Sequence, residues 1–149
     1  MKRTIFIIVL FLLFLMGFFY YSKPTVIIHN KTSDDVFVFF GTSERGIEPD
    51  YEQIKQSRRA LKIPHGKSIE VSISVADYFL RNGQVNIGWR VGGIAMPAIK
   101  RVGYSTFNIM PGTKYCTLGI NIYNDKDEAF YQDNSLCIKS LEVDTSADN

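Results

Sequence analysis

The chain has 149 residues, 46% hydrophobic and 21% charged, with a formal net charge of +2. That length suits one domain with its own core, and so small a charge argues against a protein that binds nucleic acid by neutralising phosphates. The two histidines, His29 and His65, have no Cys, Asp or Glu at metal-ligand spacing, so neither a metal nor a cofactor is expected.

In chain order the first element is TIFIIVLFLLFLMGFFYY, residues 4–21, uncharged and preceded by Lys2 and Arg3. As a helix it would rise about 27 Å, near the roughly 30 Å of a hydrocarbon core. The rings of Phe18 to Tyr21 close it, and Lys23 and Pro24 end it. A cleavable signal has a shorter apolar region and small residues two apart, whereas Gly17 and Ser22 lie five apart. Residues 1–23 are therefore expected to form an uncleaved signal-anchor transmembrane helix of a single-pass inner-membrane protein. Lys2 and Arg3 hold the N-terminus in the cytoplasm, and residues 24–149 form an extracytoplasmic, periplasmic domain.

Without Lys2, Arg3 and Lys23 the remaining 126 residues carry 14 basic and 15 acidic side chains. The signs are sorted: residues 55–101 hold nine Lys or Arg against Glu70 and Asp77, and residues 104–149 hold three Lys against seven Asp or Glu. Apolar residues now recur with period two, the pattern of half-buried strands. In SIEVSISV, Ile69, Val71, Ile73 and Val75 share a face; in YCTLGINIY, Cys116, Leu118, Ile120 and Ile122 do. Further strands are predicted over 25–29, 36–40, 84–91, 104–109, 129–131 and 135–143. NKTSDD, IPHGK, RNG, MPGTK and NDKDE supply the turns between them. Asn30, Lys31 and Thr32 also form a glycosylation acceptor triplet.

PDYEQIKQSRRAL, residues 49–61, places Tyr51, Ile54, Arg58 and Leu61 near one helical face and predicts a short helical insertion, and VADYFL adds a turn. VGGIAMPAIKRVG is apolar without a period and is expected to pack under the domain. IMPGTKY, Ile109 to Tyr115, resembles the leucine-x-proline-glycine-threonine-x-tyrosine corner of fibronectin type III domains. It departs from that pattern in its next residues, because Cys116, Leu118 and Ile120 fall on the opposite phase to the tyrosine. The resulting fold class is all-β: an N-terminal transmembrane helix, then an antiparallel immunoglobulin- or fibronectin-III-like sandwich with a short helical insertion.

Outside the cytoplasm, two cysteines read as one disulfide, Cys116 with Cys137, set opposite each other by a hairpin turning in NDKDE. No catalytic constellation is present: there is no Gly-x-Ser-x-Gly elbow and no phosphate-binding loop, and the paired carboxylates lie in turns. An enzyme is not expected. A membrane-anchored periplasmic protein-binding module is, one form being an immunity or inhibitor protein against a toxin. The alternative is a structural accessory subunit of a membrane or envelope complex. Arg58, Arg59, Trp89, Arg90, Lys100 and Arg101 are the interface candidates, as residue types that carry interface energy.

Overall fold

Period-two alternation resolves into nine strands among the described residues of a computed structural model, which covers residues 2–21, 23–46, 60–74, 77, 79–80, 82–112, 115–132 and 137–144. They are β1 (Thr25–Asn30), β2 (Val36–Glu44), β3 (Leu61–Ile63), β4 (Ser68–Ser72), β5 (Gly83–Val91), β6 (Arg101–Pro111), β7 (Thr117–Ile122), β8 (Asp127–Gln132) and β9 (Lys139–Val143). Two sheets form, a four-stranded one in the order β4-β1-β7-β8 and a five-stranded one in the order β3-β2-β5-β6-β9. The inner faces share one core. Val26, Ile28, Leu118, Ile120 and Ile122 come from the first sheet, and Val36, Val38, Val85, Ile87, Trp89, Phe107 and Leu141 from the second.

The apolar faces lie where the alternation predicts them. Cys116, Leu118, Ile120 and Ile122 are all buried, and Ile69 and Val71 pack against the core beside Ile73. The expected wholly antiparallel arrangement does not hold, because β1 pairs parallel to β7, Thr25 opposite Thr117 through Asn30 opposite Ile122. Alternation fixes which face a side chain takes and carries no information on the direction of the neighbouring strand.

The N-terminal expectation also needs correction. α1 (Lys2–Tyr21) forms, but among the described residues no helix is long and apolar enough to cross a membrane. The predicted transmembrane anchor through residues 4–21, and the single-pass localisation built on it, are not supported. Most of the described side chains of α1 are exposed, Ile5 to Phe14 and Met16 among them, and none of them belongs to the sandwich core.

Cys116 and Cys137 are bonded, as expected, but not across a hairpin. β7 and β8 pair with Leu118 opposite Tyr131 and Ile120 opposite Ala129, four residues away from the register that would face the cysteines. That shift sets Tyr131 and Ala129 beside the apolar residues of β7, where the predicted register would have set Ser135 and Asp133. Cys116 precedes β7 in one sheet and Cys137 precedes β9 in the other, so the bond ties the sheets together where the chain crosses between them. Nearby, Leu141 donates its N–H to the Tyr115 carbonyl at 2.9 Å, and the Tyr115 ring stacks on Tyr131 at 4.0 Å. Within IMPGTKY, Thr113 and Lys114 lie outside the described residues, as does most of the predicted helical insertion at 49–61.

The glycosylation triplet is structural in the folded chain. Asn30 and Thr32 are both fully buried, and the Asn30 amide donates to the carbonyls of Asp34 (2.8 Å) and Ile63 (2.9 Å). With both amide hydrogens engaged and no solvent exposure, the folded protein offers no acceptor nitrogen there.

Candidate functional site

An antiparallel sheet that covers a core on one face usually presents polar side chains on the other. The outer face of the five-stranded sheet departs from this at the β5–β6 end. Cross-strand register sets Phe37, Arg90 and Val102 in one row and Phe39, Gly88 and Tyr104 in the next. These positions alternate with the inward Val36, Val38, Ile87, Trp89 and Val91, so all six face outward. Val102 and Tyr104 are each 64% exposed. Between the walls of Phe39 and Tyr104, Gly88 leaves a groove of about 450 Å³, lined also by Arg90, Val102 and Gly103, with Trp89 among its lining residues.

The apolar segment between β5 and β6 extends this face. Contrary to expectation it does not pack under the domain: Ile94 is 48% and Met96 79% exposed at the hairpin tip. Its base is fixed instead. Gly92, with φ of 94°, donates to the Asp35 carbonyl at 2.9 Å, and Lys100 donates back to Val91 at 2.9 Å. With both ends of the loop held in the hairpin, its apolar middle stays exposed.

The interface candidates separate in the structure. Arg58 and Arg59 lie outside the described residues. Trp89, expected at the surface, is 2% exposed, because it shares the inward phase of Val85, Ile87 and Val91. Its indole covers Gly103, directly opposite on β6, and a Cβ there would overlap Cε2, Nε1 and Cζ2 of the ring. Gly103→Ala should therefore destabilise the fold by about 2 kcal/mol through overpacking. Chemical denaturation, followed by the emission of Trp89, the single tryptophan, checks this; a loss below about 0.5 kcal/mol would show that the indole can move aside.

Lys100 pairs with Asp34 at 2.7 Å, and this hydrogen-bonded ammonium holds the Asp34 carboxyl below its ordinary range. Arg101 forks onto Asp127 and donates to the Tyr123 carbonyl at 2.7 Å, bracing the β7–β8 turn against β6. The bond to Asp127 raises the Arg101 pKa further, against the opposing effect of burial. Lys62 is matched by Asp35 at 2.7 Å, so three cations of the sorted basic stretch are locally neutralised. Arg90 differs. It lies over the Phe39 ring at 5.0 Å and donates to the Ile94 carbonyl, with no carboxylate partner among the described residues.

The histidines take structural positions. His29 stacks on Phe130 at 5.9 Å, and burial, then the charge of Lys31, lowers its pKa. His65 is hydrogen-bonded through Nδ1 to the Thr32 carbonyl. Among the described residues no three His, Cys, Asp or Glu side chains gather to hold a metal ion.

No protein-family model matches this chain, and no curated protein matches it. Among solved structures the chain is similar to one described as the sugar-binding protein pneumolysin, at 13% identity and a TM-score of 0.37. The match covers 75% of this chain and 23% of that one, less than a quarter of its length. A likeness this loose assigns neither fold nor ligand, so the site is read from its own geometry.

Sequence reasoning selected Arg90 and missed Phe39, Gly88, Val102 and Tyr104. The signal was available. Once β5 is phased by its apolar residues, Gly88 and Arg90 fall outward, and a strand glycine flanked by outward aromatic residues on both neighbours marks an opening.

Proposed function

We propose that this protein is a binding module that docks a protein partner on the outer face of its five-stranded sheet. The observation that carries the reading is the apolar and aromatic groove formed by Phe39, Val102 and Tyr104, where a solvated sheet would be polar, together with the exposed Ile94 and Met96 of the adjoining hairpin, whose Ile94 carbonyl Arg90 binds. Aromatic residues, Met and Arg are the types enriched where proteins meet. The rim fits the same reading, since Lys100, Asp34, Lys62 and Asp35 form exposed ion pairs beside the patch. A toxin inhibitor would be one instance of such a module.

A photoreactive residue placed at Val102, with Glu70 on the outer face of the other sheet as control, tests it in the cells that produce the protein. Cross-linking to a discrete protein from position 102 and not from position 70 is expected. Absence of a product at 102, or equal products at both positions, would remove the reading.

A further inference from the structure

Glycine inside a central strand weakens it, through added chain entropy and lost packing, and so has a local cause or an external one. Three strand glycines here have local causes. A Cβ on Gly83 would come within 3.1 Å of Ile109 and Leu80, and one on Gly103 or Gly119 would overlap the rings of Trp89 or Phe130. Gly88 has none. A Cβ there would meet Tyr104 at 3.9 Å and the Gly103 carbonyl at 4.0 Å, ordinary contacts, and its backbone is outside the left-handed region. Among the described residues neither backbone conformation nor packing calls for glycine at 88, and its effect is to open the groove.

The groove's dimensions restrict what can enter. Phe39 and Tyr104 stand two strand spacings apart, about 10 Å between backbones before either ring takes up space. A helix, at 10–12 Å across, is too wide, whereas one side-chain ring fits. Polar chemistry restricts it further. The Tyr104 hydroxyl donates to Asn86 Oδ1 at 2.6 Å, Thr106 donates to the same oxygen at 3.2 Å, and the Asn86 amide donates to Ser43 at 2.8 Å. These groups are engaged with one another, which leaves little for a hydroxyl-rich glycan. Arg90 uses one of its five donors on Ile94 and has no carboxylate among the described residues. It is held in place by the Phe39 ring, and its apolar surroundings strengthen any charge pairing it makes.

We propose that this slot takes an extended protein segment that seats one ring, proline or aromatic, over Gly88 and sets a carboxylate against Arg90. Gly88 and Arg90 are two residues apart on the same face of β5, so a segment running along that strand would carry its ring and its acid at positions i and i+2. The inference rests on the protein-docking reading above and specifies the chemistry of the docked segment.

The probes are capped peptides Gly-Glu-Gly-Phe-Gly and its reverse, their Pro counterparts, versions with Gln for Glu or Ala for the ring, and an oligogalacturonide as an acidic glycan. Each is titrated into the full chain while Trp89 emission is read. Saturable binding of at least one acid-and-ring peptide is expected, weakened about tenfold by Gln, by loss of the ring, or by Arg90→Gln. Gly88→Val, whose side chain suits a strand, fills the slot and should abolish binding, with Gly88→Ala intermediate. No saturable binding by any acid-and-ring peptide, equal binding of Glu and Gln peptides, binding unchanged in Gly88→Val, or binding by the glycan alone would overturn the proposal. If cross-linking from position 102 persists alongside any of these results, the docking face stands and only the slot chemistry falls.

Discussion

Asn30→Ala should destabilise the protein by about 4 kcal/mol, the largest effect expected of any single substitution considered. Asn30 ends β1, fully buried, and its side chain makes four hydrogen bonds. The amide donates to Asp34 and Ile63, and Oδ1 accepts from the Thr32 N–H at 2.9 Å and from its hydroxyl at 2.8 Å. Its backbone continues the pattern, with its N–H on the Lys67 carbonyl at 2.9 Å and its own carbonyl receiving Gly66 at 3.0 Å. One side chain therefore closes the β1–β2 turn on the β3–β4 turn. Alanine would strand the Ile63 carbonyl and the Thr32 N–H in the interior, each at a cost of about 1–3 kcal/mol. Equilibrium denaturation in urea measures the loss. A value under about 1 kcal/mol would mean that water replaces the amide.

Removing the disulfide as Cys116→Ala with Cys137→Ala should cost about 3 kcal/mol, from the chain-entropy value for a loop closed by a separation of 21 residues. That loop contains β7, its turn, β8 and the passage to β9. Freed in the unfolded state, it must be closed again by pairing alone, and for a domain with roughly 5–15 kcal/mol of stability the loss is substantial. Denaturation of the double variant against the oxidised protein checks it. A difference under about 1 kcal/mol would show that the unfolded chain keeps the crossing between the sheets without the bond.

Much of this fold was legible because a half-buried strand prints its inner face directly into the sequence. β5 reads Gly83, Val85, Ile87, Trp89 and Val91 inward without interruption, and β7 does the same from Leu118 to Ile122. Neighbour direction was not legible, so the parallel β1–β7 pair went unforeseen. Trp89 shows a conflict between two signals. Its residue type suggested an interface and its phase placed it in the core, and phase prevailed because reversing one side chain would reverse the strand. The cysteine register failed where the sequence already showed strain, in the half-matched face that a direct Cys116–Cys137 pairing would have required. Asn30 looked like a surface acceptor because a three-residue pattern records nothing of burial. The groove was the least visible feature, since it consists of an absent side chain framed by residues distant in sequence, at positions 39, 88 and 104.

In the proposed docking face, Gly88 is glycine for the sake of an occupant and not of the fold. Its most direct test is the cross-linking yield from position 102 in Gly88→Val protein shown by denaturation to be folded. Stability within about 1 kcal/mol of the parent, together with loss of the cross-linked product, is the predicted result. An undiminished product in a folded Gly88→Val protein would contradict it.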